Sequence, residues 1–486
     1  MTEAPVSSLA GRTASADRMQ EALHQFDTAH ALMLGEQGLI PRDKAVELLR
    51  GLHLIERRGV VGERVRVQGG LHSGERLLIE ELGEDTGGWI HVGRSSADLS
   101  AVAVRLTLRH QCARLLECLA ATRHALLKRS QDEAETVMLA YTHGQGAQPT
   151  TFGHWLAMWA SVFGRDWARI FAVMERSDQS PAGGAATAGT EFLLDRARVA
   201  SLLGFRGLVE NSTDATHSHD IEMEALAAFT ILSANLGRLA ADLLAWSGDE
   251  FGYVTLADRY CATSSILAHK RNPVQPQMTE AAAALALGAF VAAVALNQNP
   301  TGGSILAQPT ASQLPLWDLC DTLGARLGEL PDLIDSLKVH RERMLAVARA
   351  SWCQASDLAG LLVRDRELSW RTAHQVVAIL VRLCEERGIA AAQVGSQLVN
   401  EAANIYLGRA LGLDQTAIEN ALDPRASVER RTLVGGPAPS AVRSNIEHLA
   451  VELAADARRL SETQKRWVDG RQALATSVSE FVAGDR

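Results

Sequence analysis

Apolar residues recur every three or four positions over long stretches of the chain. Residues 221–246 keep this spacing for about seven helical turns. The same spacing occurs in residues 106–140, 152–176, 316–347 and 371–387. Alternation typical of strands is scarce, with residues 62–67 (GERVRV) as the clearest candidate. The pattern predicts an all-α protein with a central bundle of unusually long helices.

Glycine, proline and serine cluster between these helical patterns and predict loops. The predicted loops are residues 143–150, 177–190, 297–313 and 434–440. A further polar stretch, TSSILAHKRNPVQPQ at residues 263–277, precedes a helix of small residues. Because loops on a rigid scaffold often carry the chemistry, the polar residues of these segments are the first functional candidates.

Composition narrows the function classes. The 486 residues are 47% hydrophobic, enough for a large core, and 48 basic against 57 acidic side chains give a net charge of −9. A chain with this charge balance has no overall positive potential to attract nucleic acid, so nucleic acid is not an expected partner. The six cysteines show no CxxC pair and no His–Cys cluster with metal-ligand spacing. We expect a cytoplasmic protein with no metal site.

Two segments bear on membranes. The first 19 residues lack the apolar core of a signal peptide and are expected to be a disordered tail. The longest apolar run, residues 281–296, is shorter than the roughly 20 residues that span a bilayer. We therefore expect no membrane partner, and the small residues on every face predict a helix enclosed by other helices.

Taken alone, residues 264–273 (SSILAHKRNP) have two interpretations. They are either a basic loop whose serines satisfy backbone groups, or a site where hydroxyl, ammonium and amide converge on a carboxylate. The residue types leave both interpretations open.

The segment TSSILAHKRNP resembles the signature G-S-S-x-M-P-x-K-x-N-P of the fumarase/aspartase superfamily. It keeps both serines, the lysine and the Asn-Pro pair, and departs at Thr263, Leu267 and Ala268. Two other segments, HVGRSSAD at 91–98 and YTHGQGAQPTTFGH at 141–154, resemble the other active-site regions of that superfamily.

Further segments resemble argininosuccinate lyases within this superfamily. They are GTEFLLDRARVASLLGF, ASDLAGLLVR and LDPRASVERRTLVGGPAPSAVR, so that the resemblance runs from about residue 25 to residue 445. It implies a homotetramer with a central helix bundle, active sites built from three subunits, a small dicarboxylate substrate and no cofactor. The three-domain subunit of this family implies a tail at 1–18 and domains at 19–104, 105–348 and 349–486.

The resemblance also implies roles for individual residues in the elimination of fumarate. Ser264 would remove the proton beside a carboxylate, Lys270 and Asn272 would bind that carboxylate, and His143 with Thr142 would hold the substrate. The remaining substrate-binding candidates are Arg94, Ser95, Ser265, Gln277 and His219. The chemistry agrees, because abstracting that proton concentrates negative charge that fixed donors must stabilise. A serine base also needs a dehydrated site, which a closing loop supplies.

Structural roles compete with some of these assignments. His143 is alternatively an ordinary loop histidine, and Arg94 a cation at a helix end. His72 matches the family weakly and is expected to be structural, whereas His217 and His219 are equally suited to line a cleft or lie on the surface.

Departures from the family pattern concern specificity. Lyases specific for argininosuccinate read G-R-S-R-N-D where this chain has Ser96 and Ala97. Ile305, Thr310 and Gln313 replace the tyrosine, glutamine and lysine that grip the arginine portion. Lost hydrogen-bond partners change specificity strongly, so argininosuccinate is not the expected substrate.

Three functions remain open at this point. The leading hypothesis is a carbon–nitrogen lyase acting on another N-substituted aspartate or nitrogen-substituted succinate. The second is a non-catalytic relative kept for its fold or assembly, and the third is argininosuccinate cleavage or another superfamily reaction such as adenylosuccinate cleavage or cycloisomerisation. Intact Ser264, Lys270 and Asn272 favour an enzyme.

Overall fold

The structure is a computed structural model that describes residues 15–298 and 307–484, without the side chains of residues 307–310. Most of these residues are helical, and the strands are short. The prediction of an all-α fold with long helices is confirmed.

The N-terminal helices surround α1, which contributes polar residues to the site described below. Their bounds are α1 Gln20–Glu36, α2 Arg42–Arg58, α3 Val60–Arg66, α4 Ser73–Leu82 and α5 Glu84–Gly87, with 3₁₀ turns at Gly70–His72 and Gly88–His91. Residues 62–67, predicted as a strand, lie largely in α3. The helix places Val60 and Arg64 on one buried face, which a strand of this sequence would not do.

Five long helices form the central bundle. They are α6 Ser96–Asp132, α7 Phe152–Ser177, α10 Asp220–Ser247, α11 Val274–Asn297 and α12 Ala307–Ser336. Helix α6 packs along α7 and α12, and α10 packs along α11. Their shared core contains the fully buried Trp159, Trp167 and Trp317.

Short elements link the long helices. The helices are α8 Arg196–Leu202 and α9 Ser212–His217; the strands are β1 Val137–Thr142, β2 Gln145–Thr151, β3 Gln179–Ser180, β4 Gly207–Leu208, β5 Val254–Thr255, β6 Ala262–Thr263, β7 Arg271–Asn272 and β8 Lys338–Val339. Strands β1 and β2 form an antiparallel hairpin, β6 pairs with β7 and β5 with β8 antiparallel, and β3 pairs with β4 in parallel.

Several predicted boundaries differ from the observed ones. The helical pattern at 106–140 ends at Asp132, because residues 137–140 belong to β1, and most of the predicted loop 143–150 is β2. The pattern at 316–347 is broken by β8 between two helices. The predicted loop at 297–313 is partly helix α12, since Ala307 begins that helix, while residues 299–306 lie outside the described part.

The C-terminal residues form a second apolar cluster and then return to the first. The helices are α13 Arg341–Ala350, α14 Ala355–Arg366, α15 Trp370–Arg387, α16 Ser396–Leu407, α17 Gln415–Leu422, α18 Pro424–Glu429 and α19 Pro439–Ala483, with a 3₁₀ turn at Ala391–Gln393. A further 3₁₀ turn, Asp258–Tyr260, lies between β5 and β6. Leu358, Leu380 and Ile418 belong to the second cluster. Helix α19 contributes Trp467 and Phe481 to the main core instead.

The structure bears on the predicted tail and on one predicted domain limit. Residues 1–14 lie outside the described part, but Ser15 is buried and its Oγ donates to Oε1 of Gln313 at 2.8 Å. The last residues of the predicted tail are therefore folded onto α12. The predicted limit at 104/105 falls inside α6. The domain division itself stays a prediction.

Helix α11 leaves one apolar face uncovered. Leu285 is 70% exposed, and Leu287, Val291 and Met278 are also exposed. Helices α10 and α11 are long and apolar enough to cross a bilayer by length and composition alone, which is weak evidence because core helices pass the same test. Within one chain α11 is not enclosed on every face, so its expected enclosure by other helices stays a prediction for an assembly of subunits.

Candidate active site

The start of α6 positions the first predicted segment. Ser95 is the N-cap residue: its Oγ accepts the amide of Ala97 at 3.1 Å, and Asp98 accepts the amide of Ser95 at 3.2 Å. The Ser95 hydroxyl also donates to the carbonyl of Ala185 at 3.1 Å. This capping box fixes the helix end against the loop that contains Ala185.

Asp98 was not identified from the sequence, although it completes this cap. Burial raises the pKa of its carboxyl to about 7, despite amide hydrogen bonds from Ser95 and Ala185 that act in the opposite direction. The S-x-x-D spacing of a capping box was the available sequence signal.

Arg94 lies under this cap, in a buried ion pair. Its Nη1 donates to Asp27 at 2.6 Å, Arg64 donates to the same carboxylate, and the side chain of Arg94 is 2% exposed. Burial alone would raise the pKa of Asp27, but Arg94 and Arg64 outweigh it and lower the pKa to about 2. The ion pair ties the segment of Arg94 to α1 through Asp27, and the expected role of Arg94 in substrate binding stays a prediction.

The two residues after the cap carry a single polar side-chain atom between them. Ser96 Oγ lies 2.7 Å from Nε2 of His72, and Ala97 is buried. His72, expected to be structural, thus contacts Ser96, one of the positions at which the sequence departs from the family pattern.

The polar loop between β6 and β7 holds the second segment. Thr263 pairs with Arg271, so Ser264 and Lys270 leave the ladder at the same end. Ser264 is partly buried, and its Oγ accepts the amides of Leu267 at 3.0 Å and Ile266 at 3.4 Å. Amide donors of this kind favour a negatively charged oxygen.

Other loop candidates differ in exposure. Ser265 and Lys270 are exposed, whereas Asn272 is partly buried and pairs with Ala262. Arg271 anchors the loop through Asp258. Gln277 is exposed in the first turn of α11.

The β1–β2 hairpin presents the third segment at its tip. Thr142 pairs with Gln145, and the intervening His143 and Gly144 have φ of 54° and 72°. Two successive positive φ values are those of a type I′ turn, the tight turn best suited to a hairpin. Thr142 and His143 are both exposed there.

The N-terminus of α10 carries the remaining histidine candidate. His219 is the N-cap residue, and its Nδ1 lies 3.2 Å from Oε1 of the buried Glu222. Burial alone would raise the pKa of Glu222, but His219, a backbone hydrogen bond and the charge of Arg105 together lower it. His217 instead bonds through Nδ1 to the carbonyl of Thr213 at 3.1 Å.

The positions expected to define specificity are described only in part. Gln313 is buried and bound by Ser15. Ile305 and the side chain of Thr310 lie outside the described part of the chain.

The three segments do not meet within one chain through polar contacts. Among the hydrogen bonds of the described residues, none joins 91–98, 141–154 and 263–277 to one another. Each segment is held at the end of a different element, namely α6, the β1–β2 hairpin and the β6–β7 loop.

Comparisons with known proteins extend this picture. A family model described as Lyase matches residues 61–288, and one described as Argininosuccinate lyase C-terminal matches residues 352–429. The argininosuccinate lyase of Methanosarcina barkeri is 34% identical over 459 residues, 94% of this chain and 92% of that protein. The argininosuccinate lyase of Methanococcoides burtonii is 35% identical over 427 residues, 87% of this chain and 85% of that protein.

Solved structures agree. EDDS lyase in complex with formate is 29% identical with a TM-score of 0.89, covering 100% of this chain and 97% of that chain. A class II fumarase from Schistosoma mansoni, 16% identical with a TM-score of 0.71 over 87% of this chain and 96% of that chain, shares the fold. The chain is a carbon–nitrogen lyase of the fumarase/aspartase superfamily and belongs to its argininosuccinate lyase-like members.

Proposed function

We propose that the protein releases fumarate from an N-substituted aspartate or nitrogen-substituted succinate other than argininosuccinate. The observation that carries this proposal is the first turn of α6, where the Ser96 hydroxyl contacts His72 and Ala97 has no polar side-chain atom. A buried polar group that loses its hydrogen-bonding partner costs about 1–3 kcal/mol, so a leaving group that needs partners at these positions is disfavoured by roughly ten- to a hundredfold.

Ser264 is the base in this proposal. Its oxygen accepts two backbone amides, at 3.0 and 3.4 Å, and the same donors stabilise the alkoxide that removes a carbon-bound proton. Lys270 leaves the same end of the β6–β7 ladder and supplies the positive charge for the resulting dianionic carboxylate. Asn272 adds an amide donor at the base of the loop.

The loop around Ser264 needs to exclude water for this chemistry. Ile266 is 87% exposed and Leu267 is 44% exposed, so the loop tip has apolar side chains without cover in one chain. Closure of the tip over the substrate would bury these side chains and dehydrate Ser264.

Assembly completes the site in this proposal. The three polar segments lie on separate elements, and the exposed apolar face of α11 is suited to contact a second copy. A homotetramer, in which the 91–98, 141–154 and 263–277 segments come from three subunits, would bring His143, Ser264 and the α6 cap together.

A second candidate is argininosuccinate cleavage itself. Argininosuccinate lyases at 34% and 35% identity over most of the chain favour it. The EDDS lyase structures, one with bound fumarate, favour the first candidate instead, because a lyase that is not named for argininosuccinate aligns with 100% of this chain.

The deciding experiment incubates the purified protein with fumarate and a panel of amines, and separately with argininosuccinate, and follows fumarate by its ultraviolet absorbance. We expect fumarate to disappear with an amine other than arginine and to form negligibly from argininosuccinate. Turnover of argininosuccinate alone would establish the second candidate instead. No turnover in any mixture would favour the non-catalytic relative. The Ser264→Ala variant is the control for each positive mixture.

A further inference from the structure

Three potential metal ligands come together beside the α6 cap from separate places in the sequence. His72 ends the 3₁₀ turn Gly70–His72, Glu75 lies in the first turn of α4, and His91 ends the turn Gly88–His91. One ligand atom from each residue lies within 4.8 Å of the other two.

The distances match those around a tetrahedral ion. Nδ1 of His72 lies 3.3 Å from Oε2 of Glu75, and Nδ1 of His91 lies 3.2 Å from the same oxygen. Zinc bonds of about 2.0–2.1 Å in tetrahedral geometry separate ligand atoms by about 3.3–3.4 Å. Both contacts of the Glu75 oxygen therefore already have the spacing of a bound set, and all three ligand atoms lie within 4.8 Å of one another.

One ligand atom is buried without a geometrically good hydrogen bond. Nδ1 of His91 lies 3.2 Å from Oε2 of Glu75 and has no other polar partner among the described residues. An ion held between this nitrogen and the carboxylate oxygen would be a partner for both atoms.

His72 has the outer contact that metal-binding imidazoles usually have. Its Nε2 is 2.7 Å from Ser96 Oγ, and an Nε2–H donated to that oxygen leaves the lone pair on Nδ1, facing Glu75. Two facing lone pairs repel each other unless a cation or a proton lies between them. A metal ion meets that requirement for both histidines at once.

We propose that His72, Glu75 and His91 form a site for a divalent transition-metal ion of the zinc class. Two imidazole nitrogens favour such an ion over magnesium or calcium, which prefer oxygen ligands. Three protein ligands leave one tetrahedral position free, and the side chains are 37%, 24% and 38% exposed, so water or a small anion can reach it. Through His72 and Ser96 the ion lies next to the α6 cap.

The test titrates metal-free, full-length protein with Co²⁺, whose visible absorption reports tetrahedral coordination, and then displaces it with Zn²⁺. We expect one equivalent per chain, and at least tenfold weaker binding in His91→Ala and in Glu75→Gln. The matched control is His53→Ala. His53 and Glu56 have the same three-residue separation and a 3.3 Å contact, on an exposed surface and outside the three-ligand group.

The outcomes separate a metal site from a hydrogen-bonded cluster. If one carboxylate simply holds two imidazole N–H groups, the wild-type protein will show no stoichiometric cobalt spectrum, and the proposal fails. Equal affinity in wild type and both ligand variants, or loss of binding in His53→Ala, would also overturn it. Circular dichroism of each variant confirms that the fold is retained, and Glu75→Gln, which preserves shape, decides the matter if His91→Ala does not fold.

Discussion

Ser96 Oγ and His72 Nε2 lie 2.7 Å apart, which joins the α6 cap to a histidine from the N-terminal turns. A residue at a position that the family uses for specificity therefore has a partner within its own chain. With Ala97 beside it, the Ser96 hydroxyl that contacts His72 is the only polar side-chain group at these two positions, so they offer a leaving group no long hydrogen-bonding side chain.

Argininosuccinate should be a poor substrate for this reason. We expect that expression of the protein will not restore growth of an arginine-requiring strain that lacks its own lyase. An argininosuccinate lyase from a relative, expressed in the same strain, is the positive control. Restored growth at a comparable rate would contradict the specificity proposed for Ser96 and Ala97.

Replacement of Ser264 by alanine should lower the rate by several orders of magnitude, because the proposed base is removed while the loop keeps its backbone. Steady-state kinetics on the substrate found in the amine screen measures the effect. Ser479→Ala is the matched control, since this exposed serine of α19 donates to the carbonyl of Ala475 in its own helix and lies in none of the three proposed active-site segments. Wild-type rates in Ser264→Ala would remove Ser264 from the mechanism.

The resemblance to the fumarase/aspartase superfamily implies, at the position of Gln277, a glutamate that pairs with the histidine matched by His143, whereas this chain has a neutral amide there. A carboxylate would stabilise the charged imidazole and strengthen its role as a proton carrier. We expect Gln277→Glu to move the pH–rate profile toward higher pH. An unchanged profile and rate would show that the two side chains do not pair, in the same subunit or across subunits.

The uncovered face of α11 predicts self-association. Light scattering at micromolar concentration should give a mass several times that of the 52.3 kDa chain. Leu285→Glu should reduce this mass, because a charge at a 70% exposed apolar position resists burial. Ile405→Glu, at a 55% exposed apolar position of α16, should leave it unchanged. A monomeric wild-type protein would disprove the assembly.

Asp98 should make stability depend on pH. Its pKa rises from 3.8 to about 7 on folding, so the folded state binds the proton more tightly, and the stabilisation is complete below about pH 4 and lost as the pH rises to 7. Each pKa unit corresponds to about 1.4 kcal/mol. Between pH 7 and pH 4 the wild type should gain unfolding free energy relative to Asp98→Asn, measured by urea denaturation.

The control for this measurement is Asp249→Asn, at an exposed position. It should follow the wild type across the same pH range. Parallel curves for the wild type and Asp98→Asn would show that Asp98 has an ordinary acidity in the folded protein.

Periodicity predicted the helices well and the strands poorly. Residues 221–246 match α10 almost residue for residue, because its apolar face has a single clear spacing. The strand β1 was missed because Val137–Thr142 continues the apolar spacing of the preceding helix, and only pairing with β2 distinguishes it. A helical pattern cannot report hydrogen bonds to a distant segment.

The site was predicted unevenly for a related reason. Ser264 and Lys270 lie in one short segment, so their association was visible in the sequence. Asp27 and Arg94 are 67 residues apart in the sequence. His72 and His91 end two different 3₁₀ turns, and they come together because those turns pack side by side. Contacts of that kind depend on tertiary packing, which a single sequence does not encode in any local spacing.

Helix α6 sets a limit on how such a site can change during evolution. It has 37 residues and rises about 55 Å without a break. One residue inserted at its middle would rotate everything beyond it by about 100°, so Arg123 would lose its alignment with Asp456 while Arg109 still faced Asp178. New specificities in this lineage should therefore arise by side-chain replacement in the first turn, while changes in length accumulate only in the flanking loops.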